Sequence, residues 1–316
     1  MSGTETVTPS RPAPAAATGP APRTGRRRGP TGTRAPYLFL TPSLVLFGVF
    51  SLFPIVAAVL MSTQQGAVLG QTEYVGGDNY QRMVDDPLFW TALRNTLVFT
   101  AATVPLSMVI GLLLALMLNR PMPGRALLRT VFFTPMVVSG VGVGMVMAWI
   151  FNGDYGVLNN ALATAGLPRG EWLTSPDMGM VTVVLAVLWT RVGFCMVLYL
   201  AALQSIPHSL LEAASLDGAG AWQRFRHVVV PQLSPTTFFL LVVNVVFSLQ
   251  AFDLLYVLTG GGPGFATTVL IQYIYRSAFA NGEMGYASAL GVVSTLLLIT
   301  FTLLRWYLGR NDEDNR

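Results

Sequence analysis

A 316-residue chain that is 53% hydrophobic and 11% charged cannot clothe one soluble globule in polar surface, since soluble domains carry about 25% charged residues. The formal net charge of +4 comes from arginines alone, gathered at the ends of apolar runs, which is not the pattern of a nucleic-acid-binding face. One cysteine, Cys195, excludes an intrachain disulfide or a cysteine-based metal site, and the sequence contains no G-x-x-x-x-G-K-[ST] loop through which it could hydrolyse ATP itself.

Residues 1–36 are rich in Ala, Pro, Gly, Thr and Arg and carry almost nothing to bury, so a disordered tail is expected. The stretch is too long and polar for a signal-peptide n-region, and the apolar run behind it is too long for an h-region, so the first helix reads as an uncleaved anchor. Six apolar runs follow, at roughly 37–61, 91–118, 126–151, 178–203, 235–258 and 287–308, and a short tail, 311–316, closes the chain. Each can cross about 30 Å of hydrocarbon with some tilt. Each must be helical there, because lipid offers backbone N–H and C=O groups no other partner. The predicted fold class is all-α, with six transmembrane helices.

Arginine placement sets an orientation. Arg23, Arg26, Arg27, Arg28 and Arg34 precede the first run; Arg120, Arg125 and Arg129 fill the second connection; Arg224 and Arg226 lie in the fourth; Arg305 and Arg310 close the last run. The other connections hold mainly Arg82, Arg169 and Arg276, each near an acid such as Asp85, Glu171 or Glu283. The positive-inside rule therefore predicts two cytoplasmic termini. Late in the fifth run Asn244, Ser248, Gln250 and Asp253 come in quick succession. Polar groups at such depth face a bundle interior or a water-filled path, although Gln250 and Asp253 also fit an approach to the outer surface.

The connection 204–234 is the most informative stretch. Pro207 ends the fourth run, Ser209-Leu210-Leu211-Glu212 has the form of a capping box, and Gly218 is placed to end a short helix in a left-handed turn. Trp222, Phe225, Val228 and Val229 recur at helical spacing, Pro231 is expected to stop that second helix, and Ser234-Pro235 to start the fifth run. These features alone fit a plain helix-turn-helix on a membrane surface.

The whole pattern is more specific. Glu212-Ala213-Ala214, Gly218 and Val228-Val229-Val230-Pro231 resemble the EAA loop of binding-protein-dependent ABC importer permeases. Asn95–Thr100, Leu258–Gly264 with Tyr273–Phe279, and Gly285–Leu290 resemble the carbohydrate branch, and most closely its maltose- and glycerol-phosphate-type subunits. The first outer connection is too short for the large outer domain of the maltose-type protein. The resemblance implies the type I ABC importer permease fold in a multi-pass protein of the bacterial inner membrane, embedded in lipid and in contact with no nucleic acid. It implies that Glu212, Ala213, Ala214, Asp217 and Gly218 dock on an ATPase dimer, which would bind the ATP and magnesium while this chain binds no cofactor. A second permease subunit and an extracytoplasmic solute-binding protein complete the expected partners. Counted from Glu212, the sugar would meet Thr190, Arg191, Phe194, Asn244, Phe247, Ser248 and Ala251. Arg191 departs from the small residue expected there, leaving open an acidic or heavily hydroxylated ligand, a pair with Asp253, or a pair with the partner subunit. Alternative readings are a non-sugar solute such as glycerol phosphate, or a self-sufficient secondary carrier, for which no internal repeat is seen.

Overall fold

A computed structural model describes Gly3 and residues 35–66 and 72–313. The predicted tail with its arginines lies almost wholly outside the described residues, as do 67–71 and 314–316. The chain divides into two compact units, 1–53 and 54–316. In the first, α1 (Ala35–Phe47) runs into a π turn, Gly48–Leu52. Together with α2 (Phe53–Met61) this forms an apolar helical run, Phe39–Met61, whose Leu44, Phe50 and Phe53 stay exposed as lipid-facing side chains do.

In the second unit a two-residue antiparallel pair, β1 (Gln64–Gln65) and β2 (Glu73–Tyr74), precedes α3 (Asp78–Asp85). The long helix α4 (Pro87–Leu118) starts earlier than the apolar run suggests, because Asp86 caps it by accepting from the Leu88 N–H at 2.9 Å and Pro87 supplies the first turn. The expected third span is not one helix. Val138 and Ser139 are extended, and α5 (Arg125–Val137) and α6 (Gly140–Ile150) meet at 103°. A surface helix α7 (Val157–Thr164) leads to α8 (Pro176–Ser205). The connection after it holds α9 (His208–Leu216) and α10 (Ala221–Arg224).

Here a second expectation fails. Pro231 stops nothing: α10 passes through a π turn, Phe225–Val229, into α11 (Val230–Leu249), giving one helix from Ala221 to Leu249. The π turn is the reason. A proline has no N–H and its ring crowds the carbonyl one turn back, and the wider turn, closed by Val230 N–H to the Phe225 carbonyl, makes room. The π turn Gly48–Leu52 likewise sits just before a proline, Pro54. The fifth run is also shorter than expected, because the helix breaks at 250–252 and restarts as α12 (Asp253–Leu258). Then come α13 (Leu270–Tyr275), a third π turn at Arg276–Ala280 and α14 (Met284–Glu313). Among the described residues, five helices are long and apolar enough to cross a membrane, and the bent pair brings the number to six if counted as one span.

Helix α8 is the hub. One apolar cluster joins it to α4, α6 and α12 through Phe99, Val143, Val183, Val187 and Leu255. Another joins it to α4 and α11 through Met196, Tyr199 and Leu240. Small residues permit the close crossings, since helices in lipid associate by tight packing: a β-carbon on Gly193 would lie 2.0 Å from the Phe132 carbonyl oxygen of α5.

A third cluster, with Met83, Phe89, Leu270 and Leu290, ties α3 and α4 to α13 and α14 around a polar knot. Asp86 accepts hydrogen bonds from the Tyr273 and Tyr286 hydroxyls, the latter at 2.6 Å. Arg82 lies 4.3 Å from the Tyr286 ring, and its Nη2 donates to both carboxylate oxygens of Glu283 at 2.9 Å. Partial burial works to raise the Asp86 pKa, but the two hydroxyls and the Leu88 N–H outweigh it and hold the carboxyl below the ordinary 3.8. Burial and the bond to Asp86 push Tyr273 up to about 12. A depressed carboxylate stabilises the fold above its ordinary pKa and loses that contribution as pH falls through the lower folded value. Asp86→Asn keeps the cap but not the charge. It is expected to lower stability at neutral pH by about 1–2 kcal/mol, the range for charged hydrogen bonds discounted for exposure. Thermal melts of the two proteins in detergent check this, and the gap between them should narrow below pH 3.8.

Candidate functional site

Two places gather the residues singled out in the sequence. The first is the connection between α8 and α11. Ile206 and Pro207 are extended, so α9 begins at His208 with Pro207 at its cap and no side-chain capping bond. The expected capping box between Ser209 and Glu212 therefore does not form. Glu212 falls in the middle of α9 rather than its first turn, exposed and with no hydrogen bond among the described residues. Gly218 behaves as its position predicts. Its φ is +79°, its N–H donates to the Ser215 carbonyl, and the Ala219 N–H donates to the Ala214 carbonyl at 2.9 Å. This is the paired closure that a left-handed glycine allows at a helix end. Asp217 caps α9 through its own N–H to Ala213. Arg224 then reaches back to the Ser215 hydroxyl at 2.7 Å, fixing α10 against α9. Between the two helices lies an open groove of about 500 Å³ lined by His208, Leu211, Glu212, Ser215, Leu216 and Arg224. Ala213 is exposed and Ala214 half-buried, while Leu216 and Trp222 are 89% and 70% exposed. The loop thus offers an apolar, lightly charged face that nothing among the described residues covers.

The second place is where the middle of α8 meets the C-terminal end of α11. The structure brings Arg191, Phe194 and Phe247 together on a half-buried face: the Arg191 guanidinium lies 5.0 Å from the Phe247 ring, and the Phe194 and Phe247 rings meet edge-on at 6.0 Å. Thr190 is beside them, its hydroxyl bonded to the Val187 carbonyl. Asn244 and Ser248 turn the other way, into the interior. The Asn244 amide nitrogen donates to the Leu240 carbonyl at 2.8 Å and lies 3.4 Å from the Cys195 sulfur. The Ser248 hydroxyl donates to the Asn244 carbonyl and lies 3.3 Å from the Thr103 hydroxyl. Ala251, half-buried, sits in the break itself.

Two features went unseen in the sequence. Thr103 and Ser107, four apart on α4, complete the buried polar strip opposite Ser248 and Cys195. Beyond the break, Phe252, Tyr256, Tyr275 and Phe279 form a row of rings at 4.9–5.5 Å. The signal for each was a pair of like residues at helical spacing, Thr103 with Ser107, Phe252 with Tyr256, and Tyr275 with Phe279. Asp253, by contrast, lies against Gly140 and pairs with no cation among the described residues.

Known proteins share this plan. The lactose transport system permease protein of Rhizobium radiobacter is 36% identical over 284 residues, covering 88% of this chain and 94% of that protein. The sn-glycerol-3-phosphate transport system permease protein of Yersinia pestis is 36% identical over 275 residues, covering 86% and 92%. A solved bacterial ABC transporter involved in the import of the acidic polysaccharide alginate superposes with a TM-score of 0.78 at 27% identity, over 87% of this chain and 94% of that one. A bacterial alginate ABC transporter solved in complex with an alginate pentasaccharide-bound periplasmic protein matches equally, with a TM-score of 0.78 at 27% identity. Residues 107–311, which hold both α8 and the α9–α10 groove, match the model of one family, and the chain belongs to it: it is an inner-membrane component of a binding-protein-dependent transport system.

Proposed function

We propose that this chain forms half of a saccharide path through the inner membrane in an ATP-driven importer, with α9 as the element that an ATPase subunit grips. The observation that supports it most is the α9–Gly218–α10 unit, a hydrogen-bonded turn presenting a face that no other described residue covers. Glu212, Ala213, Ala214, Asp217 and Gly218 form the docking face, and ATP and magnesium belong to the ATPase dimer. A second permease subunit supplies the other half of the path, and an extracytoplasmic binding protein delivers the solute. On this reading Arg191, Phe194 and Phe247 touch the sugar directly, Thr190 and Ala251 flank it, and Asn244 and Ser248 hold α11 against α4 and α8 behind it. The test is reconstitution of the chain in proteoliposomes, alone and with its partners. Concentrative saccharide uptake is expected only from the complete assembly. Accumulation by the chain alone would make it a self-sufficient carrier, and uptake of glycerol phosphate in place of any saccharide would reassign the solute.

The same reading puts both termini inside and the segment between α12 and α14 outside. Asn281→Cys in a Cys195→Ser background is expected to react with an impermeant thiol reagent added to whole cells, since Asn281 is exposed. Reaction only in inverted membranes would reverse the topology.

A further inference from the structure

Arg191 stands near the middle of α8, half-buried. Of the five N–H donors of a guanidinium, one meets an acceptor among the described residues: Nη1 to the Asn244 carbonyl, at 3.4 Å. No carboxylate among the described residues reaches it. The single ion pair among the described residues is Arg82 with Glu283, and Asp253, on the element following α11, lies against Gly140 instead. The Phe247 ring lies 5.0 Å from the guanidinium carbon, and no other acceptor among the described residues meets the remaining donors. A fixed charge at mid-membrane depth is costly until something of opposite sign or abundant water meets it. A sugar hydroxyl could accept one of these bonds but would leave the charge unmatched, whereas a carboxylate or phosphate takes two parallel bonds and cancels it.

We infer that the solute is an anionic saccharide, a sugar bearing a carboxylate, sulfonate or phosphate, whose charged group pairs with Arg191 while Phe194 and Phe247 flank its ring. This rests on the reading of the chain as a saccharide permease subunit, and the test separates the two. The complete importer is reconstituted in proteoliposomes and given pairs of saccharides, each a uronic-acid oligosaccharide and its carboxyl-reduced neutral form. The wild type is expected to take up the acidic member of a pair in preference to the neutral one. Arg191→Gln should raise KM for the acidic solute by roughly 10- to 150-fold, the span for losing a charged hydrogen bond, and Arg191→Lys should recover part of that loss. Uptake of neutral saccharides alone, unchanged by Arg191→Gln, overturns the inference and leaves the saccharide reading standing. No saccharide uptake by the wild type overturns that reading itself. If Arg191→Gln fails to assemble with the second membrane subunit while Arg191→Lys assembles, the counter-charge belongs to that subunit and the inference falls.

Discussion

Gly193→Val is expected to abolish recovery of folded transporter. The first added carbon would sit 2.0 Å from the Phe132 carbonyl oxygen and 2.9 Å from the Phe133 α-carbon. Both are backbone atoms, so no side-chain rotation relieves the clash. Helices α5 and α8 would have to separate, taking with them the apolar clusters built on α8. Overpacking a well-filled core costs about 1–3 kcal/mol even where side chains can shift, and here they cannot. Gly291→Ala is the control, because nothing lies within 4 Å of its added carbon. Membrane abundance and the monodisperse fraction in mild detergent measure the outcome. A Gly193→Val protein that survives both would show that the α5–α8 crossing is looser than its geometry.

The second large effect is expected at α9. The Glu212 side chain makes no hydrogen bond among the described residues and is exposed, so Glu212→Ala should cost the isolated subunit little. On the proposed reading, whatever is lost is lost at the ATPase subunit's surface. A hydrogen bond to a charged group is worth about 1.5–3 kcal/mol, roughly a 10- to 150-fold change in docking equilibrium. Gly218→Val acts through the backbone. A φ of +79° is open to glycine and strained for a β-branched residue, so the closure onto Ala214 and Ser215 would be lost and α10 would no longer be held to α9. Both variants should reach the membrane, co-purify with less ATPase subunit and transport poorly. Normal transport by both would remove the docking assignment, and loss of Glu212→Ala from the membrane would make the side chain structural.

Much of this was legible because lipid enforces it. Apolar length marks spans whatever packs beside them, and a glycine after nine helical residues is a turn by steric necessity. Local signals misled where a neighbour decided the outcome. Ser209 and Glu212 had the right spacing for a box, but with Pro207 at the cap the helix starts two residues sooner. Pro231 carried the usual stop signal, yet a π turn, which leaves no mark in composition, absorbed it. The breaks at Val138–Ser139 and at 250–252 interrupt apolar stretches with no proline at the break itself. Asp86-Pro87 was readable as a helix start, but its two tyrosine partners arrive from nearly 200 positions away. The interior position of Asn244 and Ser248 was readable from their depth in an apolar run, but their partners Thr103 and Cys195 were not, since only the packing of α4 and α8 supplies them.

The unbroken helix from Ala221 to Leu249 has a mechanical consequence. Its 29 residues span about 44 Å at about 1.5 Å each, so the element that begins beside the α9 groove ends next to Ala251 and the break. A stiff rod of that length is a lever arm: a tilt of about 10° at its base carries the tip about 7–8 Å sideways, more than the width of a sugar ring. On the proposed reading, a small angular motion at the groove would become a large linear motion at mid-membrane, with no signal needing to hop between side chains along the way.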